Sequence, residues 1–172
     1  HIGNSRLGYF NAPNPDRNYW KYLPSNFLRF PDCPDYTNAY LTEQEFLKSG
    51  QIKWNELYQA NADNGNSLYY LYEDRVDDKQ FSANSLINTK FSDNLNFNGG
   101  IAFKNLSEKN YADMLELLGG NCFVDLDQYA LGDARQNDVN NPNRTVVEGD
   151  TFQYNYNVNA FMTSAFAQVQ GT

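Results

Sequence analysis

Apolar and polar residues alternate most regularly between Phe81 and Lys104. Because successive side chains of a β-strand point to opposite faces, this alternation predicts two strands joined by a tight turn at Ser92-Asp93-Asn94. One face of the predicted hairpin is rich in Asn and Lys, with Leu86 as its exception in the first arm. The other face is mainly apolar and comprises Phe81, Ala83, Ser85, Ile87, Thr89, Phe91, Leu95, Phe97, Gly99, Ile101 and Phe103.

Each arm of this hairpin has about the length of a tilted, membrane-spanning strand. A hairpin with one apolar face fits the wall of a β-barrel, with the Asn and Lys side chains directed toward the lumen. It fits equally well an antiparallel sheet that packs one face on a soluble core. The hairpin alone leaves both interpretations open.

A second alternation runs from Phe152 to Asn159 and loses its phase at 160–163. It predicts a second hairpin that turns at Ala160-Phe161-Met162-Thr163 and returns from Ser164 to Gln170. Three or four strands are too few to close a barrel, and an open sheet edge in lipid leaves costly unpaired backbone groups. A barrel built from these strands is therefore incomplete.

Two short helices are also predicted. Thr42-Glu43-Gln44-Glu45 has the spacing of a capping box and predicts a helix of two turns that ends at Gly50. Ser107 is a candidate cap for a short amphipathic helix that ends at Gly119-Gly120, and its apolar residues are Tyr111, Met114, Leu115 and Leu118.

Composition favours a folded chain that is neither a nucleic-acid-binding protein nor a helical membrane protein. Aromatic residues make up 16% of the 172 residues, whereas disordered chains are poor in them. The net charge of -8 would repel a phosphate backbone. The mean hydropathy of -0.71 is too low for membrane helices.

Five of the six prolines lie between Pro13 and Pro34 among aromatic residues, which predicts an ordered loop.

The usual signatures of enzymes and of metal or cofactor sites are absent from the sequence, so we expect no catalytic residues, metal or cofactor. His1 stands at a terminus, and Asp125, Asp127 and Asp133 lack the glycine and the final glutamate of a calcium loop. The charge cluster at 73–78 could bind a cationic ligand, but such a cluster at a strand end is usually a solvated rim or a set of internal ion pairs, and we expect the rim. Cys33 and Cys122 predict either one disulfide or two free buried thiols.

Five segments, taken in order, resemble the TonB-dependent receptors of Bacteroidota, in particular the SusC-like branch that carries a carboxypeptidase-regulatory domain. They span nearly the whole chain. The segments are GYFNAPNPDRNYWKYLPSNF (8–27), GQIKWNELYQAN (50–61), LYYLYEDRVDD (68–78), LELLGGNCFVDLDQYA (115–130) and QNDVNNPNRTVVEGDTFQYNYNV (136–158). Asn14-Pro15-Asp16-Arg17 departs from the Asp-Pro-Arg-Pro that this family often has, which leaves the subgroup open.

The resemblance implies a fragment of a plugged barrel of about 22 strands that imports a bulky nutrient, such as a glycan, a peptide or a metal chelate, across the outer membrane. The implied fold is all-β with short helices, a partial antiparallel transmembrane barrel with long extracellular loops. Its expected partners are outer-membrane lipid, the remainder of its own barrel and plug, TonB acting through an N-terminal part outside this sequence, and a SusD-like lipoprotein in some relatives.

Four regions follow from this interpretation. Residues 1–80 form a long, aromatic and proline-rich extracellular loop region with a short helix and an edge strand. Residues 81–105 form a barrel hairpin, and 106–150 an extracellular loop with a short amphipathic helix. Residues 151–172 form truncated barrel strands.

Five aromatic residues of the loop region are candidates for contact with substrate, because exposed aromatic rings stack on sugars. They are Tyr19, Trp20, Tyr22, Trp54 and Tyr58. The simpler interpretation is that they pack the loop or anchor the membrane interface.

Two alternatives to a transporter stay open: a soluble, surface-exposed β-rich module that binds glycan or peptide, and a barrel subunit of a secretion or assembly complex. One observable separates the soluble module from a barrel wall. In a wall, the apolar residues Leu95, Phe97, Ile101 and Phe103 are exposed on an isolated chain; in a soluble module they are buried by other protein.

Overall fold

The protein is mainly antiparallel β-sheet with short helices, as the sequence predicts. A computed structural model describes residues 1–171. The strands are β1 (Ile2–Tyr9), β2 (Tyr69–Ser92), β3 (Leu95–Glu116), β4 (Phe123–Val124), β5 (Thr145–Val146) and β6 (Thr151–Gly171). The helices are α1 (Pro24–Leu28), α2 (Tyr36–Lys48) and α3 (Trp54–Asn64), with single 3-10 turns at Trp20–Tyr22 and Gly132–Arg135.

The chain divides into two compact units. Unit 1 contains residues 1–5, 73–113 and the chain from 151 onward, and unit 2 contains residues 6–72 and 114–150. The main sheet has the strand order β1-β2-β3-β6, and a second sheet pairs β4 with β5. Within the described residues the main sheet does not close on itself, because β1 and β6 are its two edges. No helix in this part of the chain is long and apolar enough to cross a membrane.

The hairpin predicted at 81–104 is confirmed. β2 and β3 are long strands joined by a turn at Asp93 and Asn94. β3 pairs with β6 in an antiparallel register that is continuous from Leu95 to Tyr111, with Phe103 opposite Thr163 and Ile101 opposite Ala165. Directly opposite residues share a face, so the odd-numbered residues of β3 and β6 lie on the same side of the sheet.

The helix predicted between Ser107 and Gly119-Gly120 is wrong. β3 continues through this segment to Glu116, and its residues as far as Asp113 pair with β6. The helical spacing of four apolar residues is a weak preference, and the pairing of this segment with β6 outweighs it.

The second hairpin predicted near Ala160-Phe161-Met162-Thr163 is also wrong, because β6 runs without a turn from Thr151 to Gly171. The segment contains no Gly, Pro, Asn or Asp between Ala160 and Gln168, and these are the residues that turns require. The loss of phase arises because Ala160, Ala165 and Ala167 place small residues on both faces of one strand.

A two-residue bulge interrupts β6 near its start. The register passes from Tyr111 opposite Asn155 to Ala112 opposite Phe152, so Gln153 and Tyr154 are additional residues on β6. Gln153 has a φ of 57°, a left-handed conformation that is uncommon in a strand. Phe152 and Ala112 are both buried below this bulge.

Unit 2 is built on a small core around α3. Leu57 of α3 packs with Tyr69 and Leu118, and less buried apolar residues from the loops surround these three. The side chain of Asn61 is fully buried beside them. Its amide nitrogen donates to the backbone oxygens of Tyr69 (2.7 Å) and Leu117 (2.9 Å), and its oxygen accepts from the backbone N–H of Leu68 (2.8 Å).

The helix predicted after a Thr42 capping box begins earlier than expected. α2 starts at Tyr36, and Asp35 is its N-cap, accepting a hydrogen bond from the backbone N–H of Asn38 at 2.9 Å. Thr42 lies inside the helix. Ser49 rather than Gly50 is the C-cap residue. Asp35 carries out the same capping chemistry that the sequence suggested for Thr42.

The two cysteines are free and do not form a disulfide. Cys33 is exposed, so the expectation of two buried thiols is wrong for this residue. Cys122 is half-buried and lies 3.3 Å from the side-chain oxygen of Asn66.

Candidate functional site

One face of the unit 1 sheet carries a continuous apolar band. The pairing of β3 with β6 and the ring contacts of Phe103 with Phe81 (6.0 Å) and Phe161 (5.0 Å) place the members on one side. The apolar band comprises Phe81, Ala83, Ser85, Ile87, Thr89 and Phe91 of β2, Leu95, Phe97, Gly99, Ile101 and Phe103 of β3, and Phe161, Thr163, Ala165, Ala167 and Val169 of β6. Nothing among the described residues covers it: Ile101 is 55% exposed, Phe91 67% and Leu95 39%. Phe97 and Phe103 are half-buried beside their neighbouring rings.

The apolar band ends within two residues of the same level on β3 and β6, where Phe161 lies opposite Asn105. Lys79 precedes Phe81 on this face, Asn105 follows Phe103, and Asn159 precedes Phe161. The boundary is marked by the row of three contacting phenylalanine rings. At the turn end, Phe91 and Phe97 form a second ring contact at 5.9 Å. Aromatic residues therefore lie at both ends of the band.

The length of the apolar band can be read from β3. It extends over nine residues, from Leu95 to Phe103. At roughly 3.4 Å per residue this is about 27 Å along the strand. A tilted strand of about nine residues is long enough to span the hydrocarbon core of a bilayer. An outward-facing apolar band flanked by aromatic residues is typical of barrels in the outer membrane.

Beyond the band, polar and charged residues of the strands contact one another. Arg75 pairs with Asp113 at 2.9 Å, and the Tyr111 hydroxyl donates to Asp77 at 2.8 Å. Asp74 accepts from the Tyr154 hydroxyl at 2.7 Å. The charge cluster at 73–78 thus includes internal ion pairs, whereas the sequence favoured a solvated rim.

The opposite face of the unit 1 sheet is mixed. It presents a groove of about 340 Å³ whose lining includes the polar residues Ser82, Asn84, Lys104 and Ser164. Leu86 and Phe166 meet over Gly100 on this face, which explains why Leu86 departs from the alternation. The sheet therefore has one apolar and one largely polar side.

Unit 2 contains a separate cleft of about 390 Å³ between the proline-rich loop and α3, which we call the loop cleft. Its floor is apolar, formed by Leu57, Ala60 and the Tyr69 ring. The remaining lining residues are Pro13, Asn14, Pro15, Arg17, Tyr22, Lys53 and Glu56. A volume of this size is sufficient for a small organic ligand or for one or two sugar rings.

Three of the five predicted substrate-contact residues come together beside this cleft. The Tyr19 ring contacts those of Tyr22 (5.4 Å) and Trp20 (5.9 Å), and Tyr22 lines the loop cleft. We call these three residues the aromatic ladder. Trp20 is its exposed end, with 49% of its surface accessible.

Cations surround the aromatic ladder. Lys21 and Arg29 lie over the Trp20 ring at 5.5 Å and 5.4 Å, and Arg29 also lies over Phe30 at 4.6 Å. Neither cation has a carboxylate partner among residues 1–171. Both are exposed.

The cations inside the loop cleft are paired. Lys53 contacts Glu45 at 3.1 Å and Glu56 at 3.3 Å, and Arg17 contacts Glu45 at 3.5 Å. The hydrogen bond from Lys53 lowers the pKa of Glu45, and the same bond raises the pKa of Lys53. The Nε–H of Arg17 is buried without a hydrogen-bond partner, so one donor of the cleft is unused in the described chain.

The other two predicted contact residues lie elsewhere. Trp54 is at the start of α3 and borders a shallow depression with Ser49 and Asn55. The Tyr58 hydroxyl donates to Glu116, which raises the pKa of Tyr58, so this side chain has a structural contact.

Sequence reasoning missed Arg17, Lys21, Arg29, Lys53 and Phe30. A signal for three of them was present, since residues 17–31 contain three basic and no acidic residues in a chain of net charge -8.

The carboxylates at 125–133 do not form a cation site. Asp125 is buried and bound by Asn137 at 2.8 Å and Arg144 at 3.4 Å. Within the described chain, no group of three or more His, Cys, Asp or Glu side chains is arranged to hold a metal ion.

Comparisons with protein-family models, with curated proteins and with solved structures give no match to this chain. The geometry of the apolar band and of the loop cleft therefore carries the functional argument.

Proposed function

We propose that this chain is part of the wall and of the extracellular loops of a TonB-dependent outer-membrane transporter of the Bacteroidota type. The observation that carries the proposal is the apolar band: one face of an open antiparallel sheet, exposed, about 27 Å long, and bordered by aromatic residues at both ends. Contact with lipid accounts for this exposure, since a water-facing sheet of this size would present a large apolar patch.

The sheet edges support the same proposal. Within the described residues β6 is an edge strand of the sheet, and from Asn155 to Gly171 it pairs with β3. In lipid each unpaired backbone group costs several kcal/mol, so a wall strand must pair with further strands. In this proposal those strands belong to the remainder of the same barrel, which also supplies the plug and the contact with TonB.

The connections differ in length at the two ends of the strands, which suits a barrel wall. β2 and β3 are joined by a tight turn, whereas long segments with helices connect β1 to β2 and β3 to β6. Outer-membrane barrels have short periplasmic turns and long extracellular loops. The proposal therefore places the Asp93-Asn94 turn on the periplasmic side and the two long connections outside the cell, where a SusD-like lipoprotein is a further proposed partner.

Import of a bulky nutrient is the role that the sequence resemblance supports. The first test is fractionation of source membranes, with mass spectrometry to identify the polypeptide that carries this sequence. We expect a heat-modifiable outer-membrane protein several times larger, with plug sequence upstream. A polypeptide of about this length in the soluble fraction would contradict the proposal and favour a soluble glycan- or peptide-binding module. A large barrel without plug sequence would favour the secretion or assembly role.

A second test probes the two faces of the sheet separately. Cys33 and Cys122 are replaced by Ser, and a fluorescent label is attached to Ile101→Cys or, as a matched control, to Ala102→Cys. We expect a lipid-soluble quencher to reach the first label and a water-soluble quencher the second, because adjacent strand residues point to opposite faces. Protection of the Ile101 label from both quenchers would show that protein, not lipid, covers the apolar band.

A further inference from the structure

The exposed cations beside the aromatic ladder indicate the chemistry of the ligand. We propose that the loop cleft and the aromatic ladder bind an acidic saccharide, a short sugar chain that carries carboxylates. This inference rests on the proposed transport function, because it names the class of nutrient that the extracellular loops capture.

Charge complementarity is the first step. Lys21 and Arg29 have no carboxylate partner among the described residues, although the chain carries 21 acidic residues against 13 basic ones. In such an acidic chain, two unpaired cations on one surface form a local site for an anion. Arg29 has a planar guanidinium, which suits bidentate recognition of a carboxylate.

The aromatic rings and the cleft indicate that the ligand is more than a small anion, because a small anion would not contact them. Trp20 and Phe30 are exposed aromatic surfaces of 49% and 59% accessibility. Tyr22 links the aromatic ladder to the apolar floor of the loop cleft. The C–H face of a sugar ring packs on such surfaces, while its hydroxyls need donors and acceptors.

The polar lining of the loop cleft supplies the third step. Glu56 and Asn14 offer acceptors for sugar hydroxyls, and the side chains of Arg17 and Lys53 carry donors in the same lining. A neutral sugar would leave Lys21 and Arg29 unused, and a simple anion would leave the cleft unused. An acidic saccharide satisfies both sets of groups.

The test measures binding of trigalacturonic acid to the full 172-residue chain by isothermal titration calorimetry, with its methyl ester as the neutral control. We expect the acid to bind at least tenfold more tightly than the ester, and this difference to shrink as salt is raised. The variants Lys21→Gln and Arg29→Gln should each weaken binding of the acid about tenfold, because each removes one charge-assisted contact.

Lys48→Gln is the matched control, since Lys48 is an exposed lysine of α2 that does not line the cleft. Circular dichroism verifies that each variant is folded. Equal affinity for acid and ester, or equal weakening by the Lys48 variant, would overturn the proposal. Tighter binding of a hexaglutamate peptide than of the saccharide would identify an acidic peptide as the ligand instead. Each of these results leaves the quenching experiment unaffected, so the wall and the ligand are tested separately.

Discussion

Asn61 joins three segments of unit 2 through one side chain. It is fully buried, and its amide bonds the backbone at the start of β2 and the turn after β3, with a further bond to the oxygen of Leu118 at 3.1 Å. A buried backbone group that loses its partner costs about 1–3 kcal/mol. A single amide therefore holds the loop segments on α3.

We expect Asn61→Ala to lower the free energy of unfolding by at least about 3 kcal/mol, because several buried backbone groups lose their partner together. Chemical denaturation measures the change. Asn64→Ala is the control: this residue is exposed and donates only to the backbone oxygen of Asn66, so its replacement should change stability by less than about 1 kcal/mol. Equal effects would show that burial of Asn61 contributes little.

Glycine geometry adds a constraint that sequence patterns do not reveal. Leu118 and Gly119 both have positive φ, and Gly120 donates to the oxygen of Leu117, as in a type I′ turn. Leu118 is buried in the core, which holds a non-glycine residue in this conformation. The predicted helix end at Gly119-Gly120 is thus a turn after a strand.

At the scale of elements, two residues are candidates for the N-cap of α2. The structure assigns the role to Asp35, whereas the sequence favoured Thr42. We expect Asp35→Ala to reduce helical content and stability, and Thr42→Ala to have little effect, since alanine is favoured inside a helix. Far-ultraviolet circular dichroism during thermal unfolding measures both. A larger loss for the Thr42 variant would contradict the assignment.

The Asp35 cap also predicts a dependence on pH. Hydrogen bonds from Asn38 lower the pKa of Asp35 below its ordinary value of 3.8. A carboxyl whose pKa is lowered on folding stabilises the folded state above its unfolded pKa, and this contribution disappears as the pH falls through the folded pKa. The stability difference between the native chain and Asp35→Ala should therefore shrink below about pH 4. A difference that is constant with pH would refute this mechanism.

The sequence predicted the hairpin because its alternation is long and its turn residues are specific. It failed where a pattern was short. Of the four apolar residues at helical spacing in 111–118, three lie in β3 and Leu118 lies in the turn after it. No local signal reveals that this segment pairs with β6. At the candidate site, the aromatic ladder was predicted as separate residues. Arg29 lies beside the aromatic ladder and Lys53 lines the loop cleft. Both positions depend on how the loop packs on α3, which a single sequence does not encode locally.

At the scale of the whole molecule, the apolar band predicts that a charge reduces insertion of the chain into lipid at Ile101 but not at the adjacent Ala102. Ile101→Asp places a carboxylate on the apolar band, where a charge near the bilayer centre costs about 2–4 kcal/mol for a basic residue and somewhat less for an acidic one. Ala102→Asp places it on the largely polar face. We expect only the Ile101 variant to reduce the folded fraction recovered in lipid vesicles, measured by heat-modified mobility on gels. Equal losses would contradict lipid contact.

The bulge at Gln153 and Tyr154 has a consequence for how this strand tolerates insertions and deletions. Two extra residues restore the alternation of faces, so every side chain from Asn155 to Gly171 keeps its side of the sheet. Removing Gln153 alone would exchange the two faces of the strand, whereas removing Gln153 and Tyr154 together would not. Related chains should therefore differ in length at this bulge by even numbers of residues. A deletion of one residue should mark a chain in which the apolar residues of β6 lie on the opposite face of the sheet.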